Sequence, residues 1–300
     1  MLDRTIPPPH KTIALPYFPW PQQVSLKAST PMWVLQAGQQ PVVKLEVIFD
    51  AGTRHTPQPA VAYCTAQMLL EGTQQRSAQA IAQYIDQYGA NVDIQVGPDT
   101  CNIALTTLAR HLKPMLVLLA EVLLTPAFTD ERLAHLKHLK IQELKVANER
   151  SSHIAQKELK QMLFAPPHPY GNSLTVAAVS AVTLTQVQQY YTQHFYNNCQ
   201  ILLSGQVSDE AVHTVQQHLQ ALPVQTTPQP QVVAPTTVAT EEHVSQPNRL
   251  QAAIQIGKVL LTKNHPDYLP LSCVNTLLGG YFGARLMSNL REDKGYTYGI

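Results

Sequence analysis

Strand-type and helix-type segments follow one another in an order that restricts the folds open to this chain. Apolar runs with strand character occupy Pro31–Leu35 and Val42–Phe49. Residues 57–71 then switch to helical spacing, with Val61, Thr65, Met68 and Leu69 at i, i+4, i+7 and i+8. Ser77–Tyr88 continues as an amphipathic helix with Ser77 as N-cap and Gly89 at C′. Two further strands, Val92–Val96 and Thr100–Thr107, turn at Gly97-Pro98-Asp99. After them come Leu112–Leu124, ended by Pro126, and a long helix from Asp130 to about Phe164. Pro166-Pro167-His168-Pro169-Tyr170-Gly171 breaks that helix. A helix at Thr185–His194, a strand at Gln200–Ser204 and a helix at Ser208–Leu222 complete the series. Strands arriving in groups between helices predict α+β, an antiparallel sheet covered by helices on one face. Gly38 is expected to turn a hairpin between the first two strands.

With 44% hydrophobic residues among 300, the chain can bury a sizeable core, and its length suggests two domains. Proline-rich residues 1–22 read as an extended arm, and 23–222 as a first domain. The uncharged Pro/Thr/Gln stretch 223–240 reads as a linker. Residues 241–300 then open a second domain, with a strand at Leu250–Ile256 and a helix at Tyr268–Leu278. They are too few for a second copy of the first unit, so the second domain is expected to be incomplete. A net charge of +1 gives no reason to expect nucleic acid or an anionic membrane as partner. No run reaches the ~18 apolar residues of a membrane span, and the N-terminus lacks the apolar core of a signal peptide. Cys64, Cys101, Cys199 and Cys273 stand far apart with no CxxC pair, so buried thiols are expected.

Residues 51–73, AGTRHTPQPAVAYCTAQMLLEGT, resemble the zinc-site segment of the pitrilysin/insulinase-type peptidases, the inverzincins. Those enzymes set an H-x-x-E-H motif between an AG(S/T)R strand end and an ML…GT helix end; two histidines hold zinc and the glutamate activates water. Here the corresponding positions carry Tyr63, Ala66 and Gln67. The family's third ligand is a glutamate on the later long helix, matched by Glu143 in LKIQELK. Glu143 is either a relic of the zinc set or an ordinary helix glutamate near Lys140 and Lys145, and the loss of its partners favours the second. His135 and His138, at i, i+3, read as a solvated helix face, and His168 as a capping or packing residue. Other segments resemble the family in the same order: QYGANVDIQVGPDTCNIALTTL (87–108), the H-P-Y-G element at 168–171, and LLGGYFGARLMSNLREDKGYTYGI (277–300).

The last segment resembles the opening of the family's second half, where an arginine and a tyrosine hold the substrate backbone and the reacting carbonyl. Arg291 and Tyr298 match them, and both side chains can donate to a peptide carbonyl or a developing oxyanion. Some members of the family divide the work, one chain carrying zinc and the other keeping Arg/Tyr. The resemblance therefore implies two homologous domains and a non-catalytic subunit with no metal or cofactor of its own. Its expected partners are an HxxEH-containing homologous peptidase and an unfolded peptide. The alternatives are a purely structural scaffold subunit and a stand-alone peptide-binding or chaperone-like module. Compartment is left open; bacterial two-chain members are often exported, which makes the periplasm the natural place to look.

Overall fold

In the computed structural model the described residues are 5, 19–27, 30–56, 58–166, 168–228, 235, 241–247 and 251–300. The strands are β1 (Gln22–Lys27), β2 (Thr30–Gln36), β3 (Val42–Phe49), β4 (Asn91–Val96), β5 (Cys101–Leu108) and β6 (Gln200–Gly205). The helices among those residues are α1 (Pro59–Gln67), α2 (Ala78–Gln87), α3 (Leu112–Leu124), α4 (Asp130–Ala147), α5 (Ser151–Leu163), α6 (Val176–Ala181), α7 (Leu184–Gln193), α8 (Asp209–Leu219) and α9 (Tyr268–Gly279).

The six strands form one sheet in the order β1-β2-β6-β3-β5-β4. Its class is α+β, as the element order predicts, with four antiparallel pairings and one parallel pairing, β2 on β6. The period-two alternation of β3 is realised: Val43, Leu45, Val47 and Phe49 are buried, while Lys44 and Glu46 point to the other face. Cys101, Ile103 and Leu105 of β5 and Ile201 and Leu203 of β6 lie on the same side. The helices cover that face, α1 against α7 and α3 against α8, with α1 also touching β4. Small residues on α1 (Ala60, Ala62, Cys64, Ala66) are buried and let its backbone come close to its neighbours.

Several expectations are corrected. The hairpin at Gly38 does not exist, because β6 lies between β2 and β3 and bonds to both. Residues 22–27, where the sequence predicts no strand and assigns only Gln22 to the arm, form edge strand β1. The long helix breaks at 148–150 into α4 and α5. Residues 251–262 form no strand and lie largely exposed; Leu250 and most of 1–22 and 229–240 lie outside the described residues. Within the stretch read as a linker, 223–228 are tied to the domain. Gln225 N–H donates to Tyr196 O (3.0 Å), and Thr227 N–H to Asn198 Oδ1 (2.9 Å).

The Ser77 cap read from sequence is present, its Oγ accepting from Ala80 N–H; Thr129 Oγ1 caps α4 by accepting from Arg132 N–H. All four cysteines are free, Cys64, Cys101 and Cys199 buried and Cys273 exposed. Burial pushes the Cys64 thiol up to about 11 and those of Cys101 and Cys199 up to about 12, so they are packing residues rather than nucleophiles. No helix among the described residues is long and apolar enough to cross a membrane.

Candidate functional site

Helix α1 begins on Pro59, whose missing N–H costs nothing at the first helical position. Its spacing puts Tyr63 and Gln67 on one half-buried face, while Ala66 is buried completely. Opposite this face runs α4. Lys140 lies 4.7 Å from the Tyr63 ring centroid and donates to both carboxylate oxygens of Glu143, at 2.8 and 2.9 Å. Burial raises the Tyr63 phenol pKa, an effect that the Lys140 ammonium opposes. Gln67 Nε2 donates to Ile94 O at 2.9 Å, filling an acceptor on edge strand β4.

The fold thus brings Tyr63 and Glu143 of the sequence-derived set to one place, bridged by Lys140, which the sequence offered only as a charged neighbour of Glu143. This donor set does not fit zinc. A phenol and a carboxamide replace the imidazoles. The one carboxylate is already neutralised by an ammonium whose side chain is only 13% exposed. At position 66 there is a methyl group inside the core, where no base could meet solvent. His135 and His138 are exposed on α4. Among the described residues no group of three or more His, Cys, Asp or Glu side chains is placed to hold a metal.

The motif residues around the empty chemistry support one another. Arg54 Nη1 donates to Asp99 Oδ1 at 2.5 Å, and Tyr170 Oη donates to both Asp99 oxygens at 2.8 and 2.6 Å. His55 Nε2 lies 3.1 Å from Asp99 O. The His168 ring accepts from Tyr170 N–H at 3.1 Å and is buried, the capping role expected of it. Gly52 abuts the Pro98–Asp99 backbone and Gly171 abuts Phe164 O, so closely that a Cβ at either would overlap them. At the other end of α1, Thr73 Oγ1 donates to Glu121 at 2.5 Å and accepts from Arg76 N–H at 2.9 Å. Arg76 in turn pairs with Glu121 at 3.0 Å and stacks 4.6 Å over Tyr84.

Arg291 and Tyr298 stand apart from this group. Arg291 sits in a π-helical turn, Met287–Asp293, with its guanidinium 4.7 Å over the Phe282 ring and 3.4 Å from Glu292. Tyr298 is 91% exposed. Neither lines the cleft of about 400 Å³ that borders Glu143 between α4, α5 and the β4–β5 turn.

Residues 33–176 match the model of Insulinase (Peptidase family M16), and 181–300 that of the Peptidase M16 inactive domain. The chain belongs to peptidase family M16. Among curated relatives, this M16 chain is 27% identical over 248 residues to "Non-peptidase homolog YmxG" of Helicobacter pylori, covering 81% of this chain and 57% of that one. It is 25% identical over 267 residues to "Uncharacterized zinc protease YmxG" of Bacillus subtilis, covering 86% and 64%. The chain therefore spans about three-fifths of the length of these two relatives, whose names point in opposite directions. A crystal structure of a Peptidase M16 inactive domain from Pseudomonas fluorescens superposes with a TM-score of 0.76 at 27% identity, over 93% of this chain and 69% of that one. A protease from Helicobacter pylori superposes at 0.74 with 14% identity, over 93% and 70%, a likeness of fold alone.

Proposed function

We propose that this M16 homologue is the non-catalytic subunit of a heteromeric zinc peptidase. It lends Arg291 and Tyr298 to a peptide held at the zinc of an HxxEH-bearing partner and has no peptidase activity of its own. The observation that carries this reading is a contrast between the two motif regions. At the zinc-motif positions, Lys140 fills the space between Tyr63 and Glu143. At the other end, Arg291 and Tyr298 keep the residue types of the Arg/Tyr motif, and both side chains carry hydrogen-bond donors. Two such donors suit the stabilisation of a developing oxyanion held at another chain's zinc. The exposed edge strand β4 would add backbone pairing to an extended peptide, except at Ile94 O, which Gln67 already occupies.

The test combines metal analysis with reconstitution. The purified chain should bind less than a stoichiometric amount of zinc and cleave no peptide. Co-expression with an HxxEH homologue from the same genome should yield a complex that does cleave. In that complex Arg291→Ala or Tyr298→Phe should lower kcat/KM by on the order of tenfold to a thousandfold, the range for losing a transition-state donor. Stoichiometric zinc on the isolated chain, or unchanged turnover in both variants, would reject the proposal.

A further inference from the structure

The cleft beside the degenerate motif has a charge pattern of its own. Lys140, His153, Lys157 and Lys160 line it, and Glu143 is the one carboxylate there. Lys140 and Glu143 neutralise each other at 2.8 and 2.9 Å. That leaves two lysines and a histidine; among the described residues neither lysine meets a carboxylate at ion-pair distance. Lys160 is held inward by its bond to Asn172 O at 3.1 Å, and burial lowers its pKa, which marks an ammonium already stripped of part of its water. An anionic group arriving at Lys160 would meet a positioned, partly desolvated donor, at a smaller ordering cost than on a free surface lysine.

The rest of the lining is that of a peptide site. Leu144, Leu174, Pro59 and Pro98 supply apolar walls, and Val96 ends the edge strand in the cleft. No glycine-rich phosphate loop opens onto it, and the volume suits two or three amino-acid residues. From this placement we infer that the cleft binds carboxylates of a peptide, with Lys157 and Lys160 as the anion-binding residues. The charge comes either from Asp/Glu side chains or from a free C-terminus. This inference is independent of the heteromeric reading: it concerns this chain alone and could fail or hold without affecting the reconstitution experiment.

A fluorescein-labelled decapeptide of alternating Glu and Leu, its Gln/Leu counterpart, and C-terminally amidated forms of both are the probes, read by fluorescence anisotropy at low and physiological salt. Glu/Leu binding at least tenfold tighter than amidated Gln/Leu binding, and weakened by salt, is expected if side-chain carboxylates carry the interaction. If the C-terminal carboxylate carries it, both unamidated peptides bind and amidation abolishes binding. Lys157→Ala and Lys160→Met should each weaken the binding by roughly three- to tenfold. Lys160→Met keeps the buried stem, and circular dichroism checks the fold. Equal affinity for all four peptides, or binding unchanged in the Lys157→Ala/Lys160→Met double variant, would overturn the assignment.

Discussion

Asp99 gathers donors from distant parts of the chain: Arg54 from the loop after β3 and Tyr170 from the H-P-Y-G turn, with His55 against its backbone carbonyl. At this scale the motifs that carry the family likeness are mutually supporting polar contacts. They hold the loops around α1, whatever chemistry α1 performs. Asp99 keeps 47% of its side chain in solvent, so each contact is worth less than a fully buried one. Asp99→Asn should destabilise the fold by about 1 kcal/mol and Tyr170→Phe by about 1 kcal/mol. The double variant should lose less than the sum, because Asp99→Asn weakens the bond that Tyr170→Phe removes. Urea denaturation of the four proteins measures this, and strict additivity would show that the two residues do not interact.

At the scale of elements, much was legible and the exceptions have physical causes. The strand β3 declares itself through its period-two pattern, α2 through its Ser77 cap and α3 through its apolar run, all signals that involve near neighbours only. The insertion of β6 between β2 and β3 is a pairing across more than 150 residues, which no local pattern encodes. In β1, QQVSLK buries only Leu26, so its apolar signal is too thin to read. The α4–α5 break falls at Asn148-Glu149-Arg150, without glycine or proline to announce it. For the site, sequence placed Tyr63, Ala66, Gln67 and Glu143 by resemblance, and the i, i+4 spacing of Tyr63 and Gln67 on one face holds in the structure. Lys140 was invisible as a site residue because a lysine on a charged helix ordinarily points to water; only the approach of α4 to α1 turns it inward. That approach makes a prediction about rebuilding the motif. A zinc ion near the Lys140 ammonium would be repelled by roughly 4 kcal/mol per unit of its charge at 4 Å and intermediate dielectric. The triple variant Tyr63→His/Ala66→Glu/Gln67→His should therefore hold zinc substoichiometrically, and adding Lys140→Met should raise the content toward one ion per chain. Full loading of the triple variant alone, measured by plasma mass spectrometry, would refute the blocking role of Lys140.

For the whole molecule, burial is distributed unevenly. The sheet shares one continuous core with α1–α4 and α6–α8, whereas α5 and α9 bury no residue among those described. Ile256 is 92% exposed and Phe282 67%, and Leu269, Tyr281 and Tyr296 are exposed as well. The segment touches the first unit lightly, with Gly257 against Leu159 and Leu163 and Ser151 Oγ donating to Gln251 O at 3.3 Å. The segment's local stability should lie at the low end of the range, since few buried contacts resist its opening. Brief chymotrypsin digestion of the 300-residue chain should therefore cut first within 251–300, at its exposed leucines, tyrosines and phenylalanine. It should leave a resistant fragment that spans β2 to α8. Mass spectrometry of the early products tests this, and first cleavage inside α1 to β5 would refute it. The same digestion links the two ends of the molecule. If Arg291 and Tyr298 engage a partner peptidase, adding that partner should slow cutting around Tyr281, Phe282 and Tyr298, while the rate at Leu260 and Leu261 changes less. Uniform protection would point to general docking rather than to contact centred on the Arg/Tyr turn.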